Sequence, residues 1–164
     1  MVDWVFRLGY RCAYQALRVY WRVAHPTTHG ALVALWCEGE LLLVQNSYVK
    51  FRSLPGGALN RGETGRQAAI RELREEVGIV AREEDLVPVV DEVIEWQGKR
   101  DHVAIFELVL EQRPAFAVDN REVVSAGFYS PARALELPLF PLIRTAIAKH
   151  QAPPARQTRT PDLG

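Results

Sequence analysis

The stretch that decides the fold is "GALNRGETGRQAAIRELREEVGI", Gly57 to Ile79. Its second half has the spacing of an amphipathic helix from about Thr64 to Val77. The core stripe of that helix recurs at three- and four-residue intervals and comprises Ala69, Ile70, Leu73 and Val77. Gly78 ends the helix as a C-terminal glycine does. A loop rich in glycine precedes it, so the stretch predicts a loop and a helix that meet.

Three glutamates, Glu72, Glu75 and Glu76, crowd the last turns of this helix. The helix dipole places partial negative charge there, so each acid costs about 0.3–1 kcal/mol. We expect all three to project on the face opposite Leu73 and Val77. A hard divalent cation such as Mg²⁺ takes oxygen ligands and would reverse the unfavourable electrostatics. The residues alone leave open an alternative, a solvated helix face laced with arginines.

The same stretch resembles the Nudix box at every fixed position. It has a glycine, five residues, a glutamate, seven residues, and then Arg-Glu-apolar-any-Glu-Glu-any-Gly-apolar. The resemblance implies a Nudix-type α/β/α sandwich with a mixed β-sheet. It also implies hydrolysis of the pyrophosphate linkage of a nucleoside diphosphate joined to another moiety, such as a nucleotide or a sugar.

The resemblance also implies a metal site. By that likeness Glu72, Glu75 and Glu76 bind Mg²⁺ or Mn²⁺, and the carbonyl of Gly57 completes the set of ligands. The chemistry agrees, because a pyrophosphate bridge is polyanionic and metal ions neutralise its oxygens and orient the attacking water.

Two further roles follow from the likeness. Glu63 and Arg71 resemble the family's structural ion pair, which ties the loop to the helix. The general base stays open, because in this family it is either a box glutamate or an acid on a distant loop. We therefore consider Glu72, Glu75 and Glu122 as catalytic residues, with a plain surface acid as an equal alternative for Glu122.

The substrate class also stays open, because the family's markers for ADP-ribose, dinucleoside polyphosphates and coenzyme A are not clear in this chain. Phe51 and Trp96 are candidates for stacking on a base, with core packing as the alternative. Lys50 and Arg52 precede the glycine loop and are candidates for binding phosphate.

Outward from the box, both flanks predict β-strands. "GALVALWCEGELLLVQNSY" predicts a hairpin, and "LVPVVDEVIEW" with "DHVAIFELVL" predicts a second strand pair. A strand "EVVSAGFYS" and two short helices follow, the first started by Ser130-Pro131. We predict that the Nudix domain spans residues 26–150 and that a Pro-rich, disordered tail spans residues 151–164.

Residues 1–25 predict an extra amphipathic helix that ends at His25-Pro26. One side carries the arginines Arg7, Arg11, Arg18 and Arg22. The opposite side carries Val5, Leu8, Cys12, Ala16, Val19 and Val23. We expect the helix to be laid against the domain with its arginines in water. An anionic membrane surface, RNA bound to the arginines of residues 7–22, or a homodimer partner are the alternatives.

The composition bounds the class of protein. A chain of 164 residues holds one domain with a proper core. Its 20 basic and 20 acidic residues cancel, so the protein has no net positive charge that would attract a polyanionic partner. Two cysteines without metal-ligand spacing favour a reducing compartment, and we expect a cytoplasmic protein. The alternatives to a small-molecule hydrolase are an RNA 5′ pyrophosphohydrolase and a Nudix module that senses a nucleotide without cleaving it.

Overall fold

The structure, a computed structural model, describes residues 3–118 and 120–152. The helices are α1 (Asp3–Ala24), α2 (Gly65–Val77), α3 (Pro131–Leu135) and α4 (Ile143–Gln151). The strands are β1 (Thr27–Cys37), β2 (Glu40–Asn46), β3 (Gly56–Ala58), β4 (Val87–Trp96), β5 (Lys99–Leu110) and β6 (Val123–Tyr129). They form one sheet in the order β4-β5-β1-β2-β6, with β3 also paired to β1.

Strand β1 lies at the centre and makes the sheet mixed. It runs parallel to β5 and antiparallel to β2 and β3. Because successive side chains of a strand point to opposite faces, β1 contributes to two cores. Ala31, Val33 and Leu35 pack in the core that contains α2. Leu32, Ala34 and Trp36 pack in the core that contains α3 and α4. The predicted α/β/α sandwich with a mixed sheet is confirmed.

Helix α2 has the predicted bounds and both predicted ends. Thr64 caps its N-terminus in a capping box with Gln67. Gly78 takes the left-handed conformation with φ of 72° and donates its N–H to the carbonyl of Arg74. Ala69, Leu73 and Val77 are fully buried, and Ile70 packs partly buried beside them. The periodicity therefore identified the core side of the helix correctly.

The glycine loop contains a strand that the sequence did not predict. Gly56, Gly57 and Ala58 form β3 and pair with β1. Gly56 has a φ of 146°, and a Cβ there would lie 2.3 Å from the carbonyl oxygen of Ala31. Only glycine fits this close approach of two backbones. The pairing fixes the loop beside the C-terminal half of α2.

The predicted N-terminal helix is present, and the expectation that its arginines lie in water holds for Arg11 and Arg22 but is wrong for Arg7 and Arg18. Arg7 and Arg18 are half-buried toward the domain, with Tyr10, Tyr14 and Trp21. The apolar residues opposite them are exposed to solvent, and Val23 keeps 79% of its surface. The reason is that Tyr10, Tyr14 and Trp21 lie on the same side of the helix as the arginines, and their rings contact the domain.

Two further findings concern the ends of the chain and its helices. Helix α4 continues to Gln151, one residue into the predicted tail. The rest of that prediction, residues 153–164, lies outside the described residues. No helix in residues 3–118 and 120–152 is long and apolar enough to cross a membrane.

Candidate active site

Glu76 lies at the buried end of the glutamate cluster. Its carboxylate accepts a 2.9 Å hydrogen bond from the backbone N–H of Gly56, and only 6% of the residue is exposed. Burial raises the pKa of Glu76 to about 8, and the charges of Glu72 and Glu122 add to the rise. The expectation that Glu76 projects opposite the core stripe is therefore wrong, because its side chain turns inward to accept from the Gly56 N–H of β3.

Glu72 lies against the backbone of Gly57. A Cβ at Gly57 would come within 2.5 Å of a Glu72 carboxylate oxygen, so glycine is what lets the helix and β3 approach. Burial raises the pKa of Glu72, and repulsion from Glu122 and Glu75 acts in the same direction. The Arg71 guanidinium, 2.7 Å from Glu72, opposes the rise.

Arg71 joins the loop to the helix. Its Nε and Nη2 donate to the two carboxylate oxygens of Glu63 at 2.9 and 3.0 Å, and Nη2 also donates to the carbonyl of Ala58. This bidentate pair lowers the pKa of Glu63. Arg71 further contacts Glu75 at 3.2 Å, whose side chain is 53% exposed. The fork geometry explains how one side chain holds four partners.

Glu122 is brought to the cluster from a distant part of the chain. Strand β6 pairs with β2, and at their end the N–H of Ser47 donates to the Glu122 carbonyl at 2.7 Å. The hydroxyl of Tyr48 donates to the Glu122 carboxylate at 2.7 Å. Burial is the main cause of the raised pKa of Glu72 and of Glu76, and the Glu122 charge adds to both rises, so Glu122 lies within electrostatic reach of the two carboxyl groups.

The donor chemistry of this cluster fits a hard divalent cation. Glu72, Glu76 and Glu122 offer carboxylate oxygens. Burial is the main cause of the raised pKa of Glu76, and the charges of Glu72 and Glu122 add to it, so a cation would relieve that part of the repulsion. Among residues 3–118 and 120–152, no three acid, His or Cys side chains converge as a ready-made metal centre. Arg71 holds two of the glutamates, Glu72 and Glu75, by their oxygens.

A cleft of about 260 Å³ runs from the glycine loop to a group of aromatic rings. Gly56 and Gly57 line one part of it, and Phe51 and Trp96 line another. The last two rings meet edge to face, with centroids 5.7 Å apart. The structure thus brings these two predicted substrate residues together beside the box.

The other two predicted substrate residues lie elsewhere. Arg52 donates from Nη1 to the hydroxyl of Ser125 at 2.8 Å, and its guanidinium lies over the Tyr129 ring. Lys50 is exposed. Neither is among the residues that line the cleft.

Polar residues that the sequence did not single out also line the cleft. The Lys99 ammonium lies 2.8 Å from the Asp101 carboxylate, which also accepts a 2.6 Å hydrogen bond from the Thr28 hydroxyl. Helix α1 adds Tyr14, whose hydroxyl donates to Gln97 at 2.5 Å, and Trp21, whose ring lies 4.7 Å from the Lys99 nitrogen. Apart from Lys99 and Asp101, which are two positions apart, no local pattern indicates these contacts, because their partners are far apart in sequence.

Comparisons with known proteins agree with this geometry. A family model described as NUDIX domain matches residues 26–149. No curated protein matches the chain.

Solved structures with the same fold include three of particular use. The E. coli ORF135 protein is 25% identical, with a TM-score of 0.64, and the match covers 81% of this chain and 97% of that one. A C. elegans Ap4A hydrolase binary complex is 23% identical, with a TM-score of 0.65 and coverage of 75% and 94%. The NUDIX domain of Shewanella oneidensis NrtR, complexed with ADP ribose, is 18% identical, with a TM-score of 0.66 and coverage of 76% and 86%.

Proposed function

The chain belongs to the Nudix hydrolase family, and from that premise we propose that it is a Mg²⁺- or Mn²⁺-dependent pyrophosphohydrolase. Its substrate is a nucleoside diphosphate joined to another moiety, and the bond cleaved is the pyrophosphate linkage. The observation that carries the proposal is that Glu72 lies against Gly57 and Glu76 accepts from the Gly56 N–H, two glycines that line the cleft. The charge of Glu122 also reaches both carboxyl groups.

The residues proposed to hold the cation are Glu72, Glu75 and Glu76, with the carbonyl of Gly57. When bound, a divalent cation neutralises phosphate oxygens and lowers the pKa of water. Glu76 is fixed by the Gly56 N–H. Arg71 binds Glu72 and Glu75, and we assign it a positioning role.

We assign the general base to Glu122. It directly precedes β6 and lies close enough to Glu72 and Glu76 for its charge to add to the rise of their pKa values, which is mainly due to burial. The Tyr48 hydroxyl holds one of its oxygens. Glu72 and Glu75 are less suited to accept a proton from water, since both already bind Arg71.

The cleft suggests how a substrate lies. We propose that the nucleobase of the substrate stacks on Phe51 or Trp96 and that the diphosphate extends toward Gly57. Lys99, rather than Lys50 or Arg52, is the cation placed to meet an anionic group in the cleft. Ap4A hydrolase and an ADP-ribose-binding domain among similar folds support testing dinucleoside polyphosphates and ADP-ribose first.

The test is a substrate screen with the purified full chain. It covers nucleoside triphosphates, nucleotide sugars, ADP-ribose, dinucleoside polyphosphates and capped or triphosphorylated RNA, each with Mg²⁺ and with Mn²⁺. We expect at least one nucleoside diphosphate derivative to be cleaved at its pyrophosphate, and a chelator to abolish the reaction. Glu76→Gln should be inactive, while Glu84→Gln, an exposed acid outside the cluster, should match the wild type.

The alternatives give different results in the same screen. A nucleotide-sensing module would bind a nucleotide without turnover under every metal condition. An RNA pyrophosphohydrolase would prefer the RNA substrates, although Arg7 and Arg11 already donate to carbonyls of the domain.

We further propose that the catalytic unit spans residues 26–150, supported by the family match to 26–149, and that it works in the cytoplasm.

A further inference from the structure

Helix α1 carries an unpartnered apolar face. Of the twelve large hydrophobic side chains that are exposed in the described part of the chain, eight lie on this one helix. We call them the outer face: Trp4, Val5, Phe6, Leu8, Leu17, Val19, Tyr20 and Val23. Their exposed fractions run from 42% to 79%. Such a concentration marks an interaction site rather than scattered surface residues.

The helix is fixed in this orientation by its other side. The Tyr14 ring packs on Tyr48 with centroids 4.8 Å apart, and Tyr10 stacks on the same ring at 6.2 Å. Arg7 donates to the Asn120 carbonyl at 2.8 Å and Arg11 to the Ser47 carbonyl at 3.0 Å. The outer face therefore cannot turn inward without breaking these contacts.

After its first residue, Asp3, helix α1 has charged residues of one sign only. Between Trp4 and Ala24 the helix has four arginines and no acid. At 100° per residue, Arg11 and Arg22 fall at the border of the outer face, and both are exposed. The Arg121 guanidinium lies 4.5 Å from the Phe6 ring and adds a cation from the domain. An apolar face with a basic border is complementary to a membrane surface, in which anionic headgroups cover apolar acyl chains.

A second copy of the chain is a poorer match to this face. A two-fold antiparallel pairing of the helix would set the border with Arg11 and Arg22 against the same border of the other copy. No acid within residues 4–24 is available to pair with these arginines. The charge pattern therefore favours a lipid surface over self-association.

We propose that the outer face of α1 docks the protein on an anionic membrane surface. The helix lies in the plane of the interface, with Val5, Val19 and Val23 among the acyl chains and Arg22 at the headgroups. At 22 residues it is about 33 Å long, and it lies along the domain because Arg7, Arg11 and the Tyr14 ring on its other side are bound there. This surface is separate from the cleft and does not depend on the proposed reaction.

The test is co-sedimentation of the full chain with vesicles of phosphatidylcholine alone or mixed with phosphatidylglycerol. We expect binding to the mixed vesicles that is stronger by about tenfold or more and that falls with salt. Val19→Glu/Val23→Glu should abolish it. The matched control is Val109→Glu/Val80→Glu, because Val109 is 60% exposed against 61% for Val19, and Val80 and Val23 are both 79% exposed. The control pair should bind like the wild type.

A second variant tests the charge without changing the apolar face. Arg22→Gln should weaken binding to the mixed vesicles by about fivefold, as expected for one basic residue near an anionic surface. Hydrolysis in solution by Val19→Glu/Val23→Glu should be unchanged, since neither valine lines the cleft. Loss of vesicle binding with intact hydrolysis thus separates this proposal from the proposed function.

Three results would overturn the proposal. One is no sedimentation with the mixed vesicles. Another is equal loss of binding in the Val19/Val23 and Val80/Val109 variants. The third is a dimer, measured by light scattering, that Val19→Glu/Val23→Glu dissociates while vesicles bind neither form, which assigns the outer face to a second copy.

Discussion

Tyr48 donates a 2.7 Å hydrogen bond to the carboxylate of Glu122, from 74 residues away in the chain. Burial and the Glu122 charge both raise the pKa of Tyr48, so its hydroxyl stays protonated and remains a donor. The Tyr48 ring is itself held by Tyr14 of α1. A chain of contacts therefore runs from the N-terminal helix to the proposed general base.

The first prediction concerns this hydrogen bond. Tyr48→Phe keeps the ring packing and removes the donor, so Glu122 loses its orientation. We expect kcat to fall by about tenfold with little change in KM, because the bond acts on the proton transfer. Steady-state kinetics of Tyr48→Phe, Glu122→Gln and the double variant check this. If Glu122 is not the base, Tyr48→Phe will lower kcat as much in the Glu122→Gln background as alone.

The second prediction concerns pH and Glu76. Its pKa is raised from 4.5 to about 8 in the folded metal-free protein, so the folded state binds this proton more tightly than the unfolded chain. Raising the pH through that range therefore favours unfolding. We expect the metal-free free energy of unfolding to fall between about pH 5 and pH 8, by an amount on the order of a few kcal/mol.

Thermal unfolding with a chelator across this pH range measures the effect. Glu76→Gln removes the titrating group, so its melting temperature should be flatter with pH and higher at pH 8 than that of the wild type. Added Mg²⁺ should raise the melting temperature of the wild type at pH 8 above its metal-free value. A wild-type melting temperature that rises over the same range would contradict the account of Glu76.

The third prediction concerns the close approach at Gly57. In Gly57→Ala the new Cβ would meet a Glu72 carboxylate oxygen at 2.5 Å, so Glu72 or β3 must move. We expect Mg²⁺ affinity to fall by about ten- to a hundredfold, measured by the activity at graded Mg²⁺. The control is Gly9→Ala, since a Cβ at Gly9 meets nothing within 4 Å. Unchanged Mg²⁺ dependence in Gly57→Ala would remove Gly57 from the site.

The fourth prediction concerns the aromatic part of the cleft. Trp96→Ala removes a ring that packs against Phe51 and, in the proposal, a stacking surface for the base. Stacking is worth roughly 1–3 kcal/mol per base, so KM should rise by about five- to a hundredfold with a smaller change in kcat. If Trp96→Ala has the KM of the wild type on the best substrate of the screen, the nucleobase binds elsewhere.

The box illustrates what a sequence determines. The bounds of α2, its buried stripe and its glycine end depend on residues within a few positions of each other, and all were predicted correctly. The inward turn of Glu76 was not predicted, because it depends on a hydrogen bond from the Gly56 N–H, twenty residues earlier. The fold class followed from the resemblance to the Nudix box, whose fixed positions also lie within a short stretch of sequence.

Helix α1 illustrates the limit. Its periodicity predicted an amphipathic helix, and a helical wheel separates two sides without saying which one meets the domain. The answer lies in Tyr48, Gln97 and Asn120, whose positions depend on the folded sheet. The contact of Glu122 with Tyr48 was hidden for the same reason, since it needs β2 and β6 to pair.

The most direct test of the central claim is the rate of pyrophosphate hydrolysis as a function of Mg²⁺ concentration, for the wild type and Glu76→Gln, on the best substrate of the screen. We expect a wild-type rate that rises from the chelator baseline to saturation, and a Glu76→Gln rate lower by about a hundredfold or more. A Glu76→Gln protein that hydrolyses the substrate at the wild-type rate, or a wild-type rate unaffected by the chelator, would contradict it.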